Sequence, residues 1–203
     1  MAFSTRFSQT LTPEDNAMFG PMGYRSGIGI VLINDRRQVF AGHRRDGREP
    51  PWQMPQGGID PGERLEQAVV RELMEELGTD RAVLVDAHPA WLSYDYPAPT
   101  ATRRAKQYRG QRHKWFLLQF TGSDGDIAID TDHAEFSAWR WMSPGELIAR
   151  VVDFKRDVYA AVLAHFFPHA GMPEMAHADP SIQSGQFPPQ RGLSGIGTRN
   201  QAT

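Results

Sequence analysis

The stretch GGIDPGERLEQAVVRELMEELGTD, residues 57–80, decides the fold that this chain is expected to adopt. Its apolar residues recur every four positions, at Leu65, Val69, Leu73 and Leu77. That spacing predicts a helix over residues 64–77, and Gly78 is a typical residue to end it. The preceding GGIDPG has the composition of a turn. The stretch therefore predicts a tight loop that leads into an amphipathic helix.

Three glutamates, Glu72, Glu75 and Glu76, lie within less than two turns of that helix. Like charges three or four residues apart repel and cost a helix roughly 0.2–0.5 kcal/mol per pair. At about 100° per residue, all three fall beside the apolar stripe rather than across from it. Carboxylates at the margin of a core need a counter-charge, which a hard divalent cation supplies. Taken alone, however, the segment is more typical of an ordinary acidic helix.

Outside this helix, the chain alternates between short strands and turns. SGIGIVLIN and QVFAGHR predict a hairpin around Asn34 and Asp35, and WQMPQGG predicts a short strand before a glycine turn. RAVLVDA, AWLSYDY, HKWFLLQFT and EFSAWRWMS predict further strands, and FKRDVYAAVLAHFF predicts a closing helix. The expected fold class is α/β, with a mixed sheet covered by helices on both faces.

Composition limits the function classes. The chain has 203 residues, a formal net charge of −2 and no cysteine. Disulfides and cysteine-ligated zinc or iron–sulfur sites are therefore excluded, and no overall charge excess indicates nucleic acid or membrane binding. No apolar run approaches the length of a membrane span, and the first 20 residues do not resemble a secretory signal. We therefore expect a cytoplasmic protein with no membrane partner; its oligomeric state is unknown from the sequence.

The spacing of the whole stretch is far more specific than the helix alone. Its fixed positions are Gly57, Glu63, Arg71, Glu72, Leu73, Glu75, Glu76 and Gly78. This pattern resembles the Nudix box, except that Thr79 stands where the box usually closes with an aliphatic residue. We expect that difference to change local packing and to leave the chemistry intact.

The resemblance implies the Nudix fold, an α/β/α sandwich with a central mixed β-sheet. It also implies a site that binds a diphosphate together with two or three Mg²⁺ ions, or with Mn²⁺ in their place. Glu72, Glu75 and Glu76 would hold the metals. Gly57 would bring its backbone close to metal and phosphate, and Arg71 and Glu63 would orient the carboxylates. The predicted domains are an N-terminal extension (1–20), the Nudix hydrolase domain (21–168) and a C-terminal tail (169–203) rich in Pro, Gly, Ser and Gln.

Segments outside the box narrow the resemblance. WQMPQGGIDPGE, YRGQRHKWFLLQF, EFSAWRWMSP and VVDFKRDVY are similar to the bacterial RNA 5′-pyrophosphohydrolases, a subfamily also described as dinucleoside polyphosphate hydrolases. Such enzymes convert a 5′-triphosphorylated or diphosphorylated RNA end to a monophosphate and so initiate mRNA decay. The alternative is hydrolysis of diadenosine tetraphosphate or a related dinucleotide. A binding module without activity is a third hypothesis, which the complete set of box glutamates disfavours.

The subfamily resemblance adds one acidic residue to the expected site. Glu135 opens EFSAWRW and would approach the metals, as a further ligand or as the base that orients the water. The alternative is a turn acid before a strand.

The remaining candidates would contact the substrate. Phe154 of FKRDVY would stack on a base with Lys155 facing phosphate, or Phe154 is core and Lys155 is solvated surface. Arg44 would sandwich the base from the other side. Arg25 and Lys114 are candidate phosphate contacts.

One dense basic run, RRAKQYRGQRHK at residues 103–114, carries six Lys or Arg residues and no acid. It is either an RNA-binding strip, whose affinity would depend on salt, or a solvated loop.

Overall fold

The computed structural model describes residues 23–47, 49, 51–97 and 107–168. The strands of this part are β1 (Tyr24–Ile33), β2 (Val39–Arg44), β3 (Trp52–Gln53), β4 (Gln56–Gly58), β5 (Ala82–Ala87), β6 (Leu92–Asp95), β7 (Gly110–Phe120) and β8 (Phe136–Met142). The helices are α1 (Leu65–Leu77), α2 (Pro144–Arg150) and α3 (Asp153–Phe166), with a 3-10 turn at Asp124–Asp126. The extension predicted for residues 1–20 and the tail predicted for residues 169–203 lie outside the described residues.

The strands form the mixed sheet that the sequence predicts. β1 and β7 run parallel at its centre, from Tyr24 opposite Gly110 to Ile33 opposite Gln119. The order is β3-β2-β1-β7-β5, and β4, β6 and β8 pair with β1, β7 and β2, respectively. All the pairs other than β1–β7 are antiparallel.

Helices cover both faces of this sheet. Because side chains alternate along each strand, β1 presents apolar residues to both faces. Ile28, Ile30 and Leu32 of β1 enter one core with the apolar face of α1. Val31 and Ile33 enter a second core with α2 and α3. Each fully buried side chain of this kind contributes about 1.5–3 kcal/mol relative to exposure. The α/β/α sandwich expected from the sequence is confirmed.

Helix α1 matches its predicted bounds within one residue. The Gln67 side chain accepts a hydrogen bond from the Arg64 backbone N–H at 3.0 Å. At the other end Gly78 adopts a left-handed conformation with φ 63°. The side chain of Thr79, the residue that departs from the box, is buried and its hydroxyl accepts the Arg81 N–H at 3.2 Å. A short polar side chain therefore satisfies a backbone donor at this position.

Two features differ from the sequence prediction. The β1–β2 hairpin contains the single pair Ile33–Val39, because β4 takes the edge of β1 and β2 turns to pair with β8. Helix α2 was not predicted, although Ser143 before it accepts a hydrogen bond from the Glu146 N–H and Pro144 opens it. These are ordinary signals of a helix start.

The predicted strand in WQMPQGG divides into β3 and β4, joined by a connection that α3 and β1 hold in place. The Tyr159 hydroxyl of α3 accepts the Met54 N–H at 3.0 Å. The Pro55 carbonyl accepts the Ile30 N–H at 2.9 Å. We call residues 53–57 the strap, because they cross from α3 to α1.

Candidate active site

A cavity of about 670 Å³ opens where the strap passes between α1 and α3. It is lined by Gly57 and by all the other predicted site residues except Lys114: Arg25, Arg44, Arg71, Glu72, Glu75, Glu76, Glu135, Phe154 and Lys155. Three carboxylates of α1 and one from the residue before β8 form one wall, which we call the acidic wall (Glu72, Glu75, Glu76 and Glu135). Aromatic and basic side chains form the opposite wall.

Glu76 is the most deeply buried member of the acidic wall, with 2% of its surface exposed. Its Oε2 accepts the Gln56 N–H at 3.3 Å, whereas its Oε1 has no hydrogen-bond partner among the described residues. Burial, followed by the charges of Glu135 and Glu72, raises the pKa of Glu76 well above its usual value. The site therefore holds an ionisable oxygen with no partner in the described part of the chain, which a cation would satisfy.

Glu72 lies directly against the strap. A Cβ atom built on Gly57 would overlap the Glu72 carboxylate, so a larger residue at this position would require the strap or the Glu72 side chain to move. Burial raises the pKa of Glu72 while the neighbouring Arg71 opposes the rise. Gly57 of the loop and Glu72 of α1, which belong to the same stretch of residues 57–80, are thus in contact at the Glu72 carboxylate.

Arg71 binds the acidic wall to the loop. Its Nε and Nη2 each donate to one oxygen of Glu63 at 2.8 Å, and Nη2 also donates to the Gly58 carbonyl at 2.8 Å. Its Nη1 donates to Glu72 Oε1 at 2.7 Å and to Glu75 Oε2 at 3.3 Å. The hydrogen bond from Arg71 lowers the pKa of Glu63. Arg71 therefore has contacts suited to orienting the carboxylates.

The acidic wall fits a hard divalent cation, although it is not a ready-made cage. Within the described residues, no three His, Cys, Asp or Glu side chains have the close spacing of a metal cluster. Arg71 accounts for part of this, because it draws one oxygen each of Glu72 and Glu75 to itself. The donors are all oxygens, however, and Glu76 Oε1 remains without a partner among the described residues.

Glu135 is exposed and joins the acidic wall from the position just before β8. Its backbone carbonyl accepts the Arg45 N–H at 3.0 Å. Its charge contributes to the raised pKa values of Glu72 and Glu76. A residue 59 positions after Glu76 in the sequence is thus brought to the same group of carboxylates.

On the opposite wall, Phe154 lines the cavity while also packing against the core. Its ring centroid is 5.4 Å from that of Tyr94. Arg44 forms an ion pair with Asp46, and Arg25 passes beside Gly58. The two alternatives for Phe154 therefore describe different sides of one half-buried ring.

Lys155 is not the solvated surface residue that one alternative predicted. It is 4% exposed, and its Nζ donates to Gln53 Oε1 at 3.0 Å and to Gln56 Oε1 at 3.1 Å. The next residue, Arg156, does lie on the surface, where it pairs with Asp153 at 2.6 Å. The first turn of α3 therefore places one basic side chain in the protein interior and the next one on the surface.

The structure does not place Lys114 among the residues that line the cavity, and its expected phosphate contact stays a prediction. Gln111 and His113 of β7 line the cavity, and Lys114 points to the other face of the sheet. Its Nζ donates to the Pro89 carbonyl at 2.9 Å. Only residues 107–114 of the basic run are described, and Arg112 on the same face as Lys114 lies over the Trp91 ring.

The polar cavity residues that sequence reasoning missed include Gln53, Gln56, Tyr94, Gln111 and His113. The Tyr94 hydroxyl donates to Gln111 Oε1 at 2.5 Å. Burial, with the nearby charges of Lys155 and Arg25, lowers the pKa of His113 to about 3, so its ring is neutral at pH 7. Alternation along β7 could have grouped Gln111 with His113, but it does not say which face meets the cavity.

Comparisons with known proteins agree with this geometry. The NUDIX domain family matches residues 23–162. An RNA pyrophosphohydrolase of Cereibacter sphaeroides is 50% identical over 153 residues, which cover 74% of this chain and 94% of that protein. One of Rhodospirillum rubrum is 48% identical over 155 residues, covering 76% and 93%. One of Rickettsia canadensis is 42% identical over 144 residues, covering 70% and 89%.

Solved structures show the same fold at low identity. The E. coli dihydroneopterin triphosphate pyrophosphohydrolase has a TM-score of 0.56 at 22% identity, covering 70% of this chain and 98% of that one. A C. elegans Ap4A hydrolase binary complex has a TM-score of 0.50 at 19% identity, with the same coverage of 70% and 98%.

Among the described helices, none combines the length and the apolar character needed to cross a bilayer.

Proposed function

This chain belongs to the NUDIX domain family, and from that premise we infer that it is an RNA pyrophosphohydrolase. The observation that carries this inference is about 50% identity to enzymes of that name over most of both chains. We propose that it hydrolyses the 5′-terminal polyphosphate of RNA to a monophosphate and thereby initiates mRNA decay. Residues 21–168 would form the hydrolase domain, acting in the cytoplasm.

NUDIX hydrolases use divalent metal ions, and we propose Mg²⁺, with Mn²⁺ as a substitute, in two or three copies. The ions would be held by Glu72, Glu75, Glu76, Glu135 and the backbone of Gly57. When bound, they would neutralise the polyphosphate and lower the pKa of the attacking water. The chain's own part is to present oxygens: Arg71 restrains Glu72 and Glu75, while the strap N–H of Gln56 supports Glu76.

The opposite wall would hold the RNA end. Arg25 and Arg44 line the cavity and carry the positive charge that a triphosphate requires. The half-buried ring of Phe154 offers a face on which a base could stack. The described part of the basic run places Arg112 and Lys114 away from the cavity, so any RNA contact there would involve nucleotides beyond the reacting end.

Replacing Phe154 with Ala is expected to raise KM for triphosphorylated RNA with a smaller change in kcat. Base stacking on an aromatic side chain is worth about 1–3 kcal/mol, which corresponds to roughly fivefold to a hundredfold. Steady-state kinetics of RNA hydrolysis would measure the change. Phe154→Tyr keeps the ring and serves as the matched control. An unchanged KM in the Ala variant would leave Phe154 as a packing residue alone.

The proposed function is tested by comparing two substrates under one set of conditions. We expect triphosphorylated RNA to be converted to 5′-monophosphorylated RNA faster than diadenosine tetraphosphate is cleaved, and a chelator to stop both reactions. Released phosphate and pyrophosphate are measured separately against time. A clear preference for the dinucleotide would transfer the assignment to that substrate class. No turnover of either with Mg²⁺ or Mn²⁺ would leave a binding module.

A further inference from the structure

Lys155 holds two residues of the strap at once. Its ammonium donates to the side-chain carbonyl oxygens of Gln53 and Gln56, at 3.0 and 3.1 Å. Only 4% of its surface is exposed, and Gln53 is equally buried. Hydrogen bonds from a charged donor are roughly twice as strong as those from a neutral one. A buried ammonium with such bonds is a fixed part of the cavity floor.

Gln56, one of the two strap residues that Lys155 contacts, also contacts the acidic wall. The backbone N–H of Gln56 donates to Glu76 Oε2 at 3.3 Å. The next residue, Gly57, lies so close to Glu72 that a Cβ would overlap the carboxylate. The strap therefore contacts two carboxylates on α1.

Helix α3 fixes the strap from the same side at a second point. The Tyr159 hydroxyl, one helical turn beyond Lys155, accepts the Met54 N–H at 3.0 Å. Pro55 is tied to β1 through the Ile30 N–H at 2.9 Å. Gln56 is thus the strap residue that contacts both α3, through its side chain, and the acidic wall, through its backbone N–H.

We propose that Lys155 is a positioning residue for the metal-binding carboxylates, acting through Gln56, rather than a contact for RNA phosphate. The inference rests on the proposed function, because it assumes that the acidic wall binds a divalent ion. In this assignment, the ammonium group of Lys155 in FKRDVY is part of the cavity floor. Groups that orient metal ligands typically change metal affinity or activity by about 10- to 100-fold when they are removed.

The two roles for Lys155 predict different measurements. As a positioning residue, it should affect binding of Mn²⁺ to the protein alone, in the absence of RNA. As a phosphate contact, it should affect KM for RNA and leave Mn²⁺ binding unchanged. General destabilisation would lower the folded fraction and would leave the Mn²⁺ dissociation constant of the folded molecules unchanged.

The experiment measures Mn²⁺ binding by titration calorimetry, together with kcat and KM on triphosphorylated RNA. In Lys155→Met we expect Mn²⁺ affinity and kcat each to fall by about tenfold or more, with KM within about twofold of wild type. Arg156→Met is the matched control, because it removes a neighbouring cation from the surface of the same helix turn. It should match the wild type in all three quantities.

A second pair of variants keeps the test valid if Lys155→Met folds poorly. Gln56→Met removes the acceptor and keeps the backbone N–H that Glu76 uses. The double variant Lys155→Met/Gln56→Met removes both ends of the Lys155–Gln56 contact, and Gln53 Oε1 then loses the Lys155 donor. We expect its Mn²⁺ affinity to fall no further than in the single variants, because both changes break one connection.

Three outcomes are distinguishable. Unchanged Mn²⁺ affinity in the Lys155 and Gln56 variants would overturn the inference, and a raised KM alone would return Lys155 to RNA binding. Additive losses in the double variant would also overturn it, because the two residues would then act independently. Failure of the wild type to bind Mn²⁺ would instead remove the proposed metal site itself.

Discussion

Replacing Glu76 with Gln is expected to reduce hydrolysis of triphosphorylated RNA by roughly a thousandfold or more while RNA binding persists. A metal contributes several kcal/mol to transition-state stabilisation, and each 1.36 kcal/mol corresponds to about tenfold in rate. Glu76 has the most buried carboxylate of the acidic wall and an oxygen without a partner among the described residues. An amide cannot offer that oxygen as a charged ligand. Single-turnover kinetics with a binding assay would measure the change.

The matched control for Glu76→Gln is Glu66→Gln. Glu66 lies on α1 and is also buried, but it does not line the cavity. The same chemical change there should leave turnover close to that of the wild type. Wild-type turnover in Glu76→Gln would remove Glu76 from the proposed metal site.

The same substitution is expected to stabilise the metal-free protein at neutral pH. Burial raises the pKa of Glu76 above its unfolded value of about 4.5. Because the unfolded chain loses this proton more readily, metal-free stability falls as pH rises from the unfolded pKa towards the folded one. Gln removes that loss, so the melting temperature at pH 7 in chelator should rise. A lower melting temperature would show that Glu76 is favourably paired when ionised.

Replacing Gly57 with Ala is expected to cost at least about a hundredfold in kcat. The added methyl would overlap the Glu72 carboxylate, so the strap or the glutamate must move. Displacing a reacting group by about 1 Å can lower a rate by a factor on the order of 10². Kinetics with saturating metal and RNA, beside a thermal melt, would measure the effect.

Gly125→Ala is the matched control for Gly57→Ala. A methyl group at Gly125 would have no neighbour nearer than Ser123 Oγ, at 3.8 Å. We expect activity close to wild type there. Normal kcat in Gly57→Ala would mean that the strap can retreat from Glu72 without consequence, and the tight contact would then have no catalytic importance.

The acidic wall could largely be predicted from the sequence because it is local. Glu72, Glu75 and Glu76 share one helix, and helical geometry alone places them beside the apolar stripe. The helix bounds were also predictable, because Gly78 ends the helix in the left-handed conformation that glycine adopts readily. The box resemblance supplied Arg71 and Glu63, whose contact spans only eight positions.

The opposite wall depended on contacts between distant segments and was less predictable. The position of Lys114 relative to the cavity could not be predicted because neighbouring residues of a strand face opposite sides, and only the sheet shows which side meets the cavity. Lys155 reaches Gln56 across 99 positions, and Tyr159 reaches Met54 across 105. No local pattern indicates such pairs, so Gln56 and the burial of Lys155 became visible only in the structure.

The parallel pairing of β1 with β7 has a consequence for how the chain folds during synthesis. Ser26 and Arg112, which pair across these strands, are 86 positions apart. At roughly 5–20 residues per second, β1 would wait several seconds after leaving the ribosome for its central neighbour. During that interval its row of isoleucines has no complete core to enter. We therefore expect the nascent chain to be most prone to aggregation during that interval, when shielding by a chaperone would matter most.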